Sequence, residues 1–264
     1  MMDFIVKIKD WWAVEAMIAS YNHAYQVAYK TTYEVNGPIG VTKYGSSHVA
    51  PFQFEFQALS SNPRVVTEAI RNYSMGEKDK FILNVFHASP TVPELKAKYQ
   101  SLGYDFIRTG PILSRELPPK KQQNDVSHIH KANTIHKAEF ANENLTNEGE
   151  RIPLDTLRDK NIHNFYAEVS GHAVGWIQLV TIYPNVGYIQ HVYTMLMYRG
   201  MRIGSALLER AQIAAVELGY QHMVIVPSDM AMGMTIRLGY RPLAYFSAFR
   251  LGEDAYDDAY NTRG

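Results

Sequence analysis

The sequence lacks cysteine, a long apolar run and an excess of charge. None of its 264 residues is Cys, which excludes disulfides, cysteine-ligated zinc and a thiol nucleophile. No apolar stretch approaches the roughly 18 residues of a membrane-spanning helix. The 26 basic residues balance the 26 acidic ones, which removes the attraction that binding to nucleic acid or anionic lipid depends on. We therefore expect neither nucleic acid nor membrane as a partner.

What is present is the composition of an ordinary globular protein. Hydrophobic residues make up 46% and charged residues 20% of the chain, and this length suits one large or two small domains. The first twelve residues carry four charges, a pattern unlike that of a secretion signal. We therefore expect a cytoplasmic location.

A proline-containing polar segment divides the chain. Pro118 and Pro119 deny backbone donors, and the polar residues after them offer nothing to a core. The sequence thus predicts an N-terminal domain over residues 1–117, a linker over 118–124, a C-terminal domain over 125–252 and an acidic flexible tail over 253–264.

The two halves end alike. Each has a strand-like run, a helical stretch, a Leu-Gly-Tyr triplet (102–104 and 238–240) and a second strand-like run. In both, the glycine suits the left-handed residue that ends a helix. The match predicts a duplicated domain, although chance could also produce the triplet twice.

The C-terminal half is read as a mixture of helices and strands. Helices are expected at 125–140, 205–218 and 229–238, and strands at 161–169, 172–182, 186–197, 223–226 and 242–251. The strand, glycine turn, helix and strand between 186 and 226 form a βαβ-type crossover unit.

The informative motif lies where the long strand meets the following helix, at Arg199-Gly200-Met201-Arg202-Ile203-Gly204. The N–H groups of such a turn converge, and the next helix presents unpaired N–H groups and a positive dipole end. The glycines admit a ligand close to the backbone, and the two arginines add positive charge. A diphosphate fits such a site.

This turn and the order of elements resemble the GNAT superfamily of acyl-CoA-dependent N-acyltransferases. The family's turn reads Arg/Gln-x-x-Gly-x-Gly/Ala, and commonly Arg-Gly-x-Gly-x-Gly. Arg199, Gly200 and Gly204 match the second form, while Arg202 replaces its middle glycine. The resemblance covers about residues 129–251, including Gly175-Trp176. It implies an α/β fold with a mixed sheet, in two tandem GNAT-like domains.

The resemblance also implies that acetyl-CoA binds between two splayed strands. Residues 194–196 would pair with the pantetheine arm, and a main-chain N–H there would polarise the thioester carbonyl. Residues 201–205 would hold the pyrophosphate, and Ser228 stands where the family often has Asn. The cofactor-binding residues expected are Thr194, Met195, Leu196, Arg199, Gly200, Met201, Arg202, Ile203, Gly204, Ser205 and Ser228.

The residues for proton transfer depart from the family pattern. The usual acid, a Tyr, is replaced by Thr235, and the usual Glu base by Gln190, with His191 beside it. An imidazole ordinarily titrates near neutral pH, so His191 is a candidate base, directly or through water. The alternative is an inert core histidine. Alternation along a strand puts Gln190 and His191 on opposite faces.

Two tyrosines are replacement candidates for the acid. Tyr193 and Tyr198 lie beside the same strand, although an aromatic residue there more often serves packing.

Two further patterns give weaker evidence of function. His128, His130 and His136 suggest metal ligands, but no carboxylate or Cys completes a set, so we expect a solvated helix and no metal. An apolar stripe at helical spacing indicates core, or alternatively a homodimer contact; it comprises Trp11, Trp12, Val14, Ile18, Tyr21 and Tyr25.

The N-terminal half is predicted to be a degenerate copy that does not bind CoA. No glycine precedes its helix near residues 65–73; Asn62 is a good N-cap and Pro63 a good first helical residue. This half would shape the acceptor cleft, with aromatic residues available to line it: Tyr33, Phe52, Phe54 and Phe56.

The sequence therefore predicts an N-acetyltransferase that transfers the acetyl group of acetyl-CoA to the amine of a small-molecule or amino-acid-like acceptor by direct attack. Two alternatives stay open. One is a non-catalytic CoA-binding or scaffold protein; the other is a thioester decarboxylase using His191 and Thr235.

Overall fold

The computed structural model of the protein describes residues 9–45, 52–73, 80–119 and 124–251. These residues form two compact units. The first unit comprises the described parts of residues 1–14, 29–112 and 242–264, and the second comprises residues 15–28 and the described parts of 113–241. Neither unit is a continuous stretch of chain.

The first unit is a mixed sheet with two helices. Its elements are β1 (Thr32–Asn36), β2 (Ile39–Lys43), β3 (Phe54–Ala58), α2 (Pro63–Asn72), β4 (Phe81–His87), α3 (Pro93–Gln100), the first part of β5 (Tyr104–Glu116) and nearly all of β11 (Arg241–Leu251). The strand order is β1-β2-β3-β4-β11-β5. Strands β3 and β4 are parallel, and β11 pairs antiparallel with β4.

The core of the first unit contains two aromatic residues that were expected to line the acceptor cleft. Phe54 and Phe56 are buried and pack with Phe81 and Phe249, so burial of apolar surface explains them. The expectation that they line a cleft is therefore wrong.

The second unit carries the sequence motif. Its elements are the end of β5, β6 (Ile129–Lys131), α4 (Ile135–Leu145), β7 (Ile162–Val169), β8 (His172–Tyr183), β9 (Val186–Thr194), α5 (Ile203–Glu217), β10 (His222–Ile225) and α6 (Asp229–Arg237). The strand order is β5-β10-β9-β8-β7-β6. Residues of α5 and of α4 belong to two separate core clusters, which contain Leu207 and Trp176 respectively.

Helix α1 (Trp11–Tyr29) contains the N-terminal apolar stripe. Trp11 contacts Phe86 edge to face within the first unit, and Ala24 packs with Ile162 and Val180 in the second. Within the stripe, Val14 and Ile18 are buried, whereas the four aromatic residues are partly buried.

Two predicted elements differ in the structure. Residues 129–131 form strand β6, and α4 begins only at Ile135, because the Thr134 side chain accepts a hydrogen bond from the Lys137 N–H and caps the helix there. The long strand ends at Thr194, because residues 196–198 form a 3₁₀ turn.

The unit boundaries also differ from the contiguous domains 1–117 and 125–252. The closing strand β11 pairs with β4, and the end of β5 pairs antiparallel with β10. Each unit is therefore completed by a strand from the other half of the chain. Residues 120–123 of the predicted linker, and the predicted tail 253–264, lie outside the described residues.

No helix in the described ranges is both long and apolar enough to cross a membrane.

Candidate functional site

Strands β9 and β10 separate at the point where the motif begins. They pair in parallel from Val186–His222 to Ile189–Ile225, where β10 ends. Beyond Ile189, the register against β8 passes from Leu179–Ile189 to Gln178–His191, which leaves Gln190 as the extra residue of a β-bulge. A bulge bends its strand. Residues 190–194 therefore present a backbone edge that β10 does not cover.

The pairing with β8 determines which backbone groups lie on that open edge. The Met195 N–H donates to the Val174 carbonyl at 2.9 Å. Because hydrogen-bonded and non-hydrogen-bonded positions alternate in an antiparallel pair, the backbone groups of Val192 and Thr194 point away from β8. Arg199 Nε accordingly donates to the Thr194 carbonyl at 3.2 Å.

Two of the three residues expected to pair with the pantetheine arm already use their backbone N–H groups in this structure. The N–H groups of Met195 and Leu196 already have acceptors, since Leu196 N–H donates to Glu148 Oε2 at 3.1 Å. Thr194 keeps its expected place on the open edge, and Val192 joins it.

The turn before α5 presents helix N–H groups without intrahelical partners. Gly200 (φ 83°) and Arg202 (φ 64°) both adopt the left-handed conformation, and α5 begins at Ile203. The first N–H groups of a helix have no carbonyl one turn earlier, and within the described part of the chain the Arg202 side chain caps none of them. The site fits an anion.

The two glycines of the turn serve different purposes. A Cβ at Gly200 would meet no described atom within 4 Å, so this position is open to a ligand. A Cβ at Gly204 would lie 3.1 Å from Met234 Sδ and 3.4 Å from Thr194 Oγ1. Gly204 is thus a position of close packing against α6 and β9.

Arg199 is anchored beside the end of β9. Besides its bond to Thr194, its guanidinium lies 5.9 Å from the ring centroid of Tyr193, and Nη1 lies 3.5 Å from Met230 Sδ. Among the other residues of the turn, Met201 and Arg202 are exposed, whereas Ile203 is buried.

Two hydroxyls near α6 have structural roles. Ser228 is the N-cap of α6 and accepts a hydrogen bond from Ala231 N–H at 3.3 Å. Thr235 is fully buried and donates to the Met232 carbonyl at 2.8 Å. Thr235 is therefore not available as an acid.

His191 lies on the face of β9 opposite α5. Its imidazole stacks on Trp176 with 4.4 Å between ring centroids. Its Nε2 lies 2.9 Å from Glu150 Oε2, without the alignment of a good hydrogen bond. Since 34% of the side chain is exposed, His191 is not an inert core residue.

Tyr193 lies next to His191 on the same face, with 6.4 Å between their ring centroids. Its hydroxyl donates to Glu148. Burial, reinforced by this hydrogen bond and by the charges of Glu148 and Glu150, raises the pKa of Tyr193 to about 12, against a lowering by Arg199. Tyr193 thus keeps its proton at neutral pH.

Tyr198 is not part of this group. It packs against the core cluster that contains α5, whereas Tyr193 packs against the cluster that contains Trp176.

Sequence reasoning missed Glu148 and Glu150. Gly149 between them is left-handed (φ 76°) and follows a 3₁₀ turn, so the Glu-Gly-Glu segment brings both carboxylates to β9. Its composition alone is a turn signal, but the sequence does not say which strand it faces.

The histidines near β6 do not share one helix, since His130 lies on β6 and His136 lies on α4. His130 lies on strand β6, 3.7 Å from Glu168, rather than on the expected helix. In the described ranges, no three His, Asp or Glu side chains are arranged to hold a metal ion.

The corresponding helix of the first unit lacks the features of the turn. Asn62 caps α2 by accepting from Arg64 N–H at 3.1 Å, and Pro63 supplies no N–H. This unit is consistent with a degenerate copy.

A comparison with known proteins matches the part of the chain that contains β9 and the turn before α5. Residues 129–240 match the model of the acetyltransferase (GNAT) family, and no curated protein matches the sequence significantly. A GCN5-related N-acetyltransferase from Kribbella flavida is 19% identical with a TM-score of 0.68, over 90% of this chain and 96% of that one. One from Sphaerobacter thermophilus is 13% identical with a TM-score of 0.57, over 93% and 94%. These likenesses show the fold, and residues 129–240 are a domain of the GNAT acetyltransferase family.

Proposed function

We propose that the second unit transfers the acetyl group of acetyl-CoA to the amine of a small-molecule or amino-acid-like acceptor by direct attack, in the cytoplasm. One observation carries the proposal: the open backbone edge of β9 leads directly to the uncapped N-terminus of α5. A long ligand with an acyl end and an anionic end fits such a site, and acetyl-CoA supplies an activated thioester.

The residues divide between binding and proton transfer. The first-turn N–H groups of α5 and the turn 200–202 would bind the diphosphate. The backbone of Val192 and Thr194 would hold the pantetheine arm, and a free N–H of this edge would polarise the thioester carbonyl. His191 would take the proton of the acceptor ammonium, and Tyr193, which keeps its hydroxyl proton, is the candidate to protonate the leaving thiolate.

The two other candidate functions have less support. The decarboxylase hypothesis depends on the hydroxyl of Thr235, which is buried and donates its hydrogen bond to the Met232 carbonyl. A non-catalytic CoA-binding protein would use the same turn, and it is an outcome of the activity test below.

Charge reversal at Arg202 tests the binding site. We expect Arg202→Glu to weaken CoA binding about tenfold, because it places a negative charge beside the diphosphate, measured by calorimetry on the full chain. Arg202→Gly removes the cation but suits the left-handed backbone, so its loss should be smaller. Lys137→Glu, the same charge change on exposed α4, should leave the affinity unchanged. Equal affinities in all three variants would refute the site.

A screen of amines with acetyl-CoA tests the reaction, with release of free thiol as the signal. Amine-dependent release supports the transferase. CoA binding without release with any amine would instead favour the non-catalytic protein.

A further inference from the structure

We propose that Glu150 is a positioning residue that holds the His191 imidazole for proton transfer, an inference that rests on the proposed acetyl transfer. The carboxylate faces Nε2 of the imidazole at 2.9 Å, which leaves Nδ1 as the nitrogen that takes the proton of the acceptor ammonium.

Two groups contact the His191 imidazole, one on its face and one at its edge. Trp176 is almost fully buried and stacks on the imidazole with an interplanar angle of 28°. The same indole donates its Nε1–H to Glu150 Oε2 at 3.3 Å. Glu150 is therefore itself held in place by the residue on which His191 rests. Because core side chains are close-packed, Trp176 holds the Glu150 carboxylate and the His191 imidazole next to each other.

The chemistry follows from the orientation. A carboxylate beside Nε2 favours the tautomer with hydrogen on Nε2, so Nδ1 carries the lone pair. An N–H bond of the ammonium breaks, its proton passes to Nδ1, and its electron pair stays on the amine nitrogen, which then attacks the acyl carbon. The imidazolium so formed lies beside the Glu150 carboxylate, which stabilises its charge. The poor alignment of the pair is that of many catalytic contacts before substrate binds.

The other groups around His191 differ in what they contribute. Tyr193 is neutral, Glu148 is engaged by the Tyr193 hydroxyl, and Arg199 lies over the Tyr193 ring. Gln178, which faces His191 across the strand pair, is uncharged and bonded to Asn164. Glu150 is thus the charged group in contact with the imidazole.

The test compares Glu150→Gln, Glu150→Asp and the native full-length chain. Glu150→Gln keeps the side-chain shape but removes the charge. We expect kcat to fall on the order of tenfold or more, as part of the roughly 10²-fold contributed by a general base. We expect the KM for acetyl-CoA to stay the same, because the CoA contacts lie elsewhere. The inflection of the kcat/KM pH profile should move, and Glu150→Asp should restore part of the rate.

An NMR measurement separates this proposal from the proposed function. The ¹⁵N signals of the His191 imidazole report its tautomer without any substrate, and Glu150→Gln should change them. Glu168→Gln is the matched control, because it breaks the surface pair with His130 and should leave the His191 signals and the rate unchanged. Native protein that acetylates no amine would refute the proposed function alone. His191 signals identical in Glu150→Gln and the native chain, or an active variant with the native pH profile, would overturn the positioning role.

Discussion

Arg202 shows at the scale of one residue why the motif tolerates its departure from the glycine pattern. The backbone at this position is left-handed, which explains a family preference for glycine there. A non-glycine residue pays about 1–2 kcal/mol for that conformation, an amount a folded domain can absorb. The spacing of the motif is visible in the sequence, whereas the backbone angle is not.

The sequence predicts those residues of the site that are close to one another along the chain. The turn 199–205 and the strand before it are one continuous segment, so their order alone predicts an anion site. The partners of His191 and Tyr193 come from a distant segment: Glu148 and Tyr193 are 45 residues apart. Periodicity carries no information about such contacts, and Glu150 was missed for this reason.

His163 provides a pH test at the residue scale. Burial, with a contribution from Lys131, lowers the pKa of His163 from 6.5 to about 4, against an opposing effect of Asp159. The unfolded chain therefore binds this proton more readily. The stabilisation is fully present above pH 6.5, and the free energy of unfolding should fall by about 2 kcal/mol as the pH drops from 6.5 to 4.5.

Denaturant titrations at several pH values would measure this slope. We expect His163→Gln to flatten it. An equal slope in His163→Gln and the native chain would exclude His163 as its source; His87 in the first unit, whose pKa burial also lowers, would then be the residue to substitute.

At the scale of elements, the strand pattern was correct up to the bulge. Strict alternation predicted Gln190 and His191 on opposite faces, but the extra residue at Gln190 interrupts the register. A bulge is a matter of pairing between two strands, so the sequence of one strand does not reveal it. The start of α4 was misplaced for a related reason, since pairing of Ile129 with Ala167 draws residues 129–131 into the sheet.

Two glycines allow the packing of these elements to be tested. A Cβ at Gly175 would lie 2.6 Å from the Tyr193 carbonyl, which is backbone, whereas a Cβ at Gly204 would meet the flexible end of Met234 at 3.1 Å. We therefore expect Gly175→Ala to destabilise the protein by about 1–3 kcal/mol, the range of overpacked cores. Gly204→Ala should cost less than about 1 kcal/mol, because the methionine can move. Thermal unfolding would rank them, and the reverse order would contradict this packing of β8 against β9.

At the scale of the whole molecule, the repeat predicted the order of elements but not their pairing. The sequence β4, α3, β5 recurs as β10, α6, β11, as the two Leu-Gly-Tyr triplets indicated. The closing strands β5 and β11 both follow a Leu-Gly-Tyr triplet, so the sequence does not say which unit each of them completes. Composition and turn signals place a boundary at the prolines, yet the contacts between residues divide the units at Leu113 and Pro242.

The absence of cysteine makes this pairing directly testable by cross-linking. Ser114 lies opposite Val224 in the antiparallel pair of β5 and β10, and opposed residues in such a pair are close enough for a disulfide. Ser114→Cys with Val224→Cys should therefore form an intrachain disulfide in the native state, without any competing thiol. Because the bridge closes a loop of about 110 residues, it should also stabilise the chain by up to about 4 kcal/mol. Val224→Cys with Ala248→Cys is the control. Contiguous domains would pair β10 with β11 and so favour this bridge. In the structure, Ala248 instead lies opposite Asn84. Mass spectrometry of peptides under non-reducing conditions identifies the bridge, and efficient cross-linking of 224 to 248, with none of 114 to 224, would show that each half keeps its own closing strand.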